Sequence, residues 1–233
     1  MVTAHISDET LAACQGRQTG KIVIARLEFR GHHHHVNRSK IDEAYHKFDA
    51  ANGDDPNKID VDGTLQPKEL VFAKRLSKIV LRLDPEASEA LRLASRCQHL
   101  CRWEIPRSTQ PMGRAGYLKW RTLLKKFHAE KSAQILHQVG YDEEVISRVR
   151  DLNLKKNLQS DPDCQTLEDG LCLVFLQYQF DALIAETDEE KMLTIIRKTW
   201  AKMSTDGQKA AMELDFSPEG KAMLAKALDN QAS

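Results

Sequence analysis

From Ser39 onward, apolar side chains recur three and four positions apart. Ile41, Ala44, Tyr45 and Phe48 mark one face of a helix that Ser39 can cap. Asn52-Gly53-Asp54-Asp55-Pro56 stops it. Pro67 opens a second helix through Leu70, Val71, Leu76, Ile79 and Val80. A third starts at Asp84-Pro85. Its Ala90, Leu91, Leu93, Ala94, Cys97, Leu100 and Cys101 make it apolar almost all round, and Pro106 ends it. After the loop Ser108 to Gly113, the spacing predicts a long helix from about Tyr117 to Val139, closed by Gly140. A shorter helix follows Asp142. Asp161-Pro162 opens the next, which contains the run Leu171-Cys172-Leu173-Val174-Phe175-Leu176. Helices over 188–203, 207–214 and 218–228 complete the pattern. No segment alternates as a strand does, so residues 39–233 read as one all-α domain of about eight to ten helices.

Residues 1–38 lack this periodicity. They hold a short, mostly apolar run from Ile22 to Leu27 and the run His32-His33-His34-His35. They read as a poorly structured N-terminal extension.

Composition narrows the function classes. Of 233 residues, 34 are basic and 34 acidic. That balance gives no support to a general nucleic-acid or membrane role. No apolar run reaches the roughly 18 residues of a membrane span. The five cysteines show no paired spacing. All five read as reduced, and the chain as cytoplasmic.

Two short stretches put ionisable groups into segments apolar enough to be buried: Cys97-Gln98-His99-Leu100-Cys101-Arg102-Trp103 and Thr166-Leu167-Glu168-Asp169. Burying charge is costly unless it is paired, hydrogen-bonded or metal-bound. On a continuous helix, His99, Arg102 and Trp103 share one face, and Gln98 lies one turn from Arg102. Thr166-x-x-Asp169 fits a capping box, but Asp161-Pro162 already supplies a helix start. Glu168 and Asp169 are therefore expected inside a central helix, as acids of a site. In the long helix, Tyr117, Trp120 and Arg121 lead towards His128. Arg107, Arg114 and Arg121 flank the preceding loop. Guanidinium groups near imidazole and carboxylate suit a small anionic, phosphorylated molecule. The expected substrate contacts are Gln98, Arg102, Trp103, Arg107, Tyr117, Trp120 and Arg121, with Trp103 or Trp120 stacking on a base or walling the pocket.

Two other patterns are weaker. Lys58-x-Asp60-x-Asp62-Gly63 nearly fits a calcium loop, but Lys58 replaces the first acid and Pro56 blocks the incoming helix. Lys202-Met203-Ser204 resembles a synthetase signature loop, without the parallel-sheet pattern that would hold a nucleotide.

Many motifs together resemble one family. Pro67-Lys-Glu69-Leu, Cys97-Gln98-His99, Arg102-Trp103-x-Ile-Pro-Arg107, Gly116-Tyr117-Leu-x-Trp120-Arg121, Phe127-His128-Ala, Gly140-Tyr141-Asp142, Gln165-Thr-Leu-Glu168-Asp169 and Lys198-Thr-Trp200 look like the family filed as domain of unknown function 4202. The resemblance runs from about Ile41 to Leu228 and implies an all-helical fold. Some members carry a glutamyl-tRNA synthetase label, which the missing nucleotide-fold pattern argues against. The order of polar sites is also similar to the HD-domain metal-dependent phosphohydrolases. That resemblance implies a divalent metal (zinc, manganese or iron) held by Glu69, His99, His128 and Asp169, with Glu168 as general base or support. It implies hydrolysis of a small phosphorylated or nucleotide-type substrate. The alternative is a non-catalytic helical ligand-binding or interaction module.

Overall fold

The computed structural model describes residues 39–158 and 160–229. The N-terminal extension and its histidine run lie outside the described residues. The helix starts follow local chemistry. Ser39 caps α1 (Lys40–Gly53) by accepting from the Asp42 N–H, and Ser88 caps α3 (Glu89–Cys97) through the Leu91 N–H. Asp142 caps α5 (Glu143–Leu154), and Asp161 with Pro162 at the first turn starts α6 (Pro162–Tyr178). Between α3 and α5 runs α4 (Arg114–Val139), closed by Gly140 at φ 86°. That left-handed turn strongly favours glycine.

Pro67 precedes α2 (Lys68–Leu83). The C-terminal third adds α7 (Phe180–Glu186), α8 (Glu189–Trp200), α9 (Thr205–Met212) and α10 (Pro218–Asp229). Ten α-helices and two 3₁₀ turns among the described residues slightly exceed the eight to ten helices expected. No described helix is long and apolar enough to cross a membrane.

Two local features depart from the expected pattern, which held no strand and a longer third helix. The calcium-like stretch is an antiparallel hairpin, β1 (Lys58–Val61) with β2 (Thr64–Pro67), in the register Lys58 to Pro67. Asp62 and Gly63 both have positive φ, 53° and 79°, as a two-residue hairpin turn needs. Asp60 serves that turn by accepting from the Gly63 N–H at 2.9 Å. The Asp-Gly pair was the signal, and the absence of an alternating apolar pattern hid it.

The third helix also ends earlier than the pattern implies. It stops at Cys97, and Cys101 adopts a left-handed conformation at φ 52°. Its N–H is taken by the side chain of Asn52, 2.9 Å away and fully buried at the end of α1. A tertiary hydrogen bond thus turns the chain where propensity alone would have continued the helix. Arg102–Glu104 and Arg107–Thr109 form the two short 3₁₀ turns. His99, Arg102 and Trp103 therefore do not share a helix face.

The core lies between α1, α2, α3, α4, α5 and α6, filled by Phe48, Leu76, Leu91, Leu93, Leu136, Ile146, Leu152 and Leu173. The α2–α6 crossing is close. A Cβ at Gly170 would meet Val80 Cγ2 at 3.0 Å and Leu76 Cδ1 at 3.1 Å. This packing holds the start of α2, with Glu69, and the middle of α6, with Glu168, on the walls of one cavity.

Candidate functional site

A cavity of about 860 Å³ opens beside α2, the irregular segment after α3, α4 and α6. Its walls carry Glu69, Gln98, His99, Arg102, Tyr117, Arg121, His128 and Glu168, eight of the residues expected from the sequence. The turn at Cys101 brings them together although the helix face did not.

Glu69 sits at the first turn of α2 and is 7 % exposed. Its backbone N–H donates to Asp55 Oδ2 at 2.9 Å, and Asp55 is fully buried. Burial pushes the Glu69 carboxyl up to about 7, against the pull of Arg102. Glu69 Oε2 lies 3.5 Å from His99 Nδ1, and Oε1 lies 3.9 Å from Arg102 Nε.

His99 stacks on Phe72, with ring centroids 4.1 Å apart and planes 12° from parallel. Burial, then the charges of Arg102, Arg121 and Lys155, hold its pKa well below the usual histidine range. His128 is also neutral. Burial, then His99, lowers it to about 3. A neutral ring has one N–H, and Nδ1 lies 2.9 Å from the Leu100 carbonyl, which can only accept. The proton therefore sits on Nδ1, and Nε2 is a bare lone pair. That Nε2 is buried and has no partner among the described residues; the same holds for Gln98 Oε1. The two imidazole rings are 5.8 Å apart. Buried polar atoms are normally satisfied, so these two orphans mark places for a ligand or water.

Asp169 does not join the cavity. Its carboxylate accepts from the Ser204 N–H at 2.8 Å, Ser204 Oγ at 2.5 Å and Gln165 Nε2 at 3.0 Å. Ser204 in turn caps α9. A Cβ at Gly207 would stand 2.5 Å from Asp169 Cγ, so α9 is pressed against it. Asp169 is an anchor for the α8–α9 turn. Adjacent residues of a helix point about 100° apart, so Glu168 faces the cavity while Asp169 faces α9.

Among the described residues no three His, Cys, Asp or Glu side chains gather closely enough to hold a metal. The expected set of Glu69, His99, His128 and Asp169 loses its fourth member to α9, and its other three do not meet around one point. Glu168, expected as a base, forms an ion pair with Lys155, and Lys202 Nζ lies 3.9 Å from its other oxygen.

Arg107 is likewise committed elsewhere. Its guanidinium donates to the carbonyls of Gln110 and Pro111, both at 2.9 Å, and Gly113 at 3.3 Å. It binds the loop together, and α4 packs tightly there: a Cβ at Gly116 would stand 1.9 Å from the Pro111 carbonyl oxygen. Arg107→Ala should therefore destabilise the fold by about 1–2 kcal/mol. Anion binding per folded molecule should stay as in wild type, as denaturant titration and calorimetry together can check.

Trp103 and Trp120 wall a second, smaller cavity of about 380 Å³ that shares Lys68, Glu69 and Arg102 with the first. The Trp120 indole N–H donates to the Ile105 carbonyl at 2.9 Å, and the Arg102 guanidinium lies 4.9 Å from its ring centre. Tyr117 is 45 % exposed at the edge of the main cavity.

Sequence reasoning missed Phe72, Arg75, Lys125, Lys155 and Lys202, all on the cavity wall. Lys125 was within reach of it, because Arg121, Lys125 and His128 recur at helical spacing on α4. Lys155 had no local signal. It occupies a left-handed position, φ 57°, at the end of α5.

No curated protein and no solved structure matches the chain. The model of the family described as Domain of unknown function (DUF4202) matches residues 42–224, most of the chain, which therefore belongs to that family.

Proposed function

We propose that the main cavity binds a small phosphorylated or nucleotide-type molecule and that Glu69, oriented by His99, moves the proton during hydrolysis of its phosphate bond. One observation carries this reading. A carboxyl poised near neutrality and two neutral imidazoles meet guanidinium groups in a single cavity. Such perturbed groups cluster at functional sites. Arg102 and Arg121 present planar forks that suit phosphate oxygens.

The roles follow from the geometry. A carboxyl with a pKa of about 7 can take a proton from a water as its oxygen bonds to phosphorus, and give that proton to the leaving oxygen as the original P–O bond breaks. The base role expected of Glu168 thus passes to Glu69, since Glu168 is the counter-ion of Lys155. His99, with Nδ1 3.5 Å away, helps to orient the Glu69 carboxyl and stays neutral itself. The bare Nε2 of His128 can accept from a water or a ligand hydroxyl. Glu69, His99, His128 and Asp169 as they stand do not fit a four-ligand zinc, manganese or iron site, because Asp169 is held by Ser204.

A second reading, a non-catalytic ligand-binding module, is favoured by one fact. Two of the acids expected at the site, Glu168 and Asp169, serve an ion pair and a helix cap.

The test is a thermal-shift screen of phosphorylated metabolites and nucleotides, with and without manganese, followed by phosphate-release assays on hits. Arg102→Lys and Arg121→Lys should each weaken binding of a stabilising anion by about 1–3 kcal/mol, the scale of a charge-assisted hydrogen bond. Stabilisation with phosphate release supports the hydrolase. Stabilisation without release supports the binding module. An anion whose effect survives both substitutions binds elsewhere.

A further inference from the structure

Beyond the pole formed by Glu69, His99 and Arg102, the cavity wall carries a second concentration of charge. Arg121 and Lys125 stand one turn apart on α4, both half-buried. Neither has a hydrogen-bond or ion-pair partner among the described residues. Lys155 and Lys202 lie on the same wall and share one carboxylate, Glu168. Four cations thus face the cavity against a single acid that contacts any of them. Asp60 and Glu186 also line the cavity, but both are exposed and pair with none of the four.

This arrangement is unfavourable by itself. Like charges one turn apart on a helix repel, and partial burial makes each harder to solvate. Burial, then Lys155 and Arg121, hold the Lys125 ammonium below the usual lysine range. Uncompensated positive charge in a cavity is complementary to an anion. The Glu69 pole already has its own guanidinium, Arg102, 3.9 Å from the carboxylate. One phosphoryl group placed there leaves the Lys125 end of the wall unmatched.

We infer that the cavity takes a ligand with two separated anionic groups, one at Arg102 and His99 and the other between Lys125, Lys155 and Lys202. Arg121 stands within electrostatic reach of both ends, lowering His99 and Arg102 on one side and Lys125 on the other. A bisphosphorylated small molecule has this chemistry. The volume, about 860 Å³, accommodates such a molecule. The inference rests on the anion-binding reading above and specifies its substrate class.

The experiment compares glucose 6-phosphate with glucose 1,6-bisphosphate, and inorganic phosphate with pyrophosphate, by calorimetry at low ionic strength on the full chain. Wild type should bind at least one probe with two phosphoryl groups about tenfold or more tightly than its single-phosphoryl partner, the scale of one added charge-assisted contact. Lys125→Gln and Lys202→Gln should each cut that preference severalfold and leave monophosphate affinity within about twofold. Lys202 is 55 % exposed at its side chain, so its replacement leaves the fold intact if Lys125→Gln does not. Equal affinity for both members of each pair in wild type overturns the second subsite while leaving the anion-binding reading standing. A preference that survives both variants, or a parallel loss for mono- and bis-phosphates, overturns it as well. If none of the four probes binds, the anion-binding reading fails and the subsite with it.

Discussion

Asp169→Ala should cost about 3 kcal/mol of stability, because its carboxylate is a charged acceptor for three hydrogen bonds at once. The loss is cooperative. Ser204 Oγ donates to Asp169 and accepts from the Gly207 N–H at 3.0 Å, so removing the acid unsettles the cap of α9 as well. Asp169→Asn keeps the shape and one acceptor but turns an amide towards a donor, so its cost should be smaller. The measurement is denaturant unfolding of the three proteins. Monophosphate affinity per folded molecule should equal that of wild type in both variants, because the Arg102 end of the cavity lies away from the α8–α9 turn that carries Lys202. Loss of monophosphate binding in a variant that is still fully folded would return Asp169 to the site and undo its assignment as an anchor.

That assignment shows where the sequence was legible. Helix starts were readable at Ser39, Asp142 and Asp161-Pro162, and the stop at Gly140, because capping is chemistry between neighbours in the chain. The polar stretches around His99 and Glu168 were readable as a site because buried polar groups need partners. Three things were not. The bend at Cys101 depends on Asn52, about fifty positions away. The commitment of Arg107 to three carbonyls depends on the path of a loop. The division of labour between Glu168 and Asp169 depends on which helix covers which face of α6. Helical geometry said that the two acids diverge. Only the fold said that Asp169 was the one taken by α9.

Glu69→Gln should change stability in a way that depends steeply on pH. Burial raises the Glu69 carboxyl from its ordinary 4.5 to about 7 in the folded protein. The native state therefore holds this proton more tightly than the unfolded chain does. Its contribution is most favourable below pH 4.5 and is lost as pH rises from there to about 7. Above that range the folded protein carries a buried carboxylate whose cost is about 3 kcal/mol, from the size of the shift. His99 and His128 act in the opposite direction. Both are held below the usual histidine range, so they withdraw stability as pH falls below that range. The wild-type profile sums these opposing slopes, whereas the difference between Glu69→Gln and wild type isolates the carboxyl. Glutamine stays neutral at every pH and resembles the protonated acid in shape. The variant should therefore gain on wild type by about 2–3 kcal/mol between pH 4.5 and pH 8, most of it before pH 7. Urea unfolding at several pH values measures this. A flat difference would mean that the carboxyl ionises in the folded protein as freely as in water, and Glu69 would then lose its place as the proton-transfer group. Phosphate release, if wild type shows it, should disappear in Glu69→Gln at every pH, because the amide cannot accept the proton.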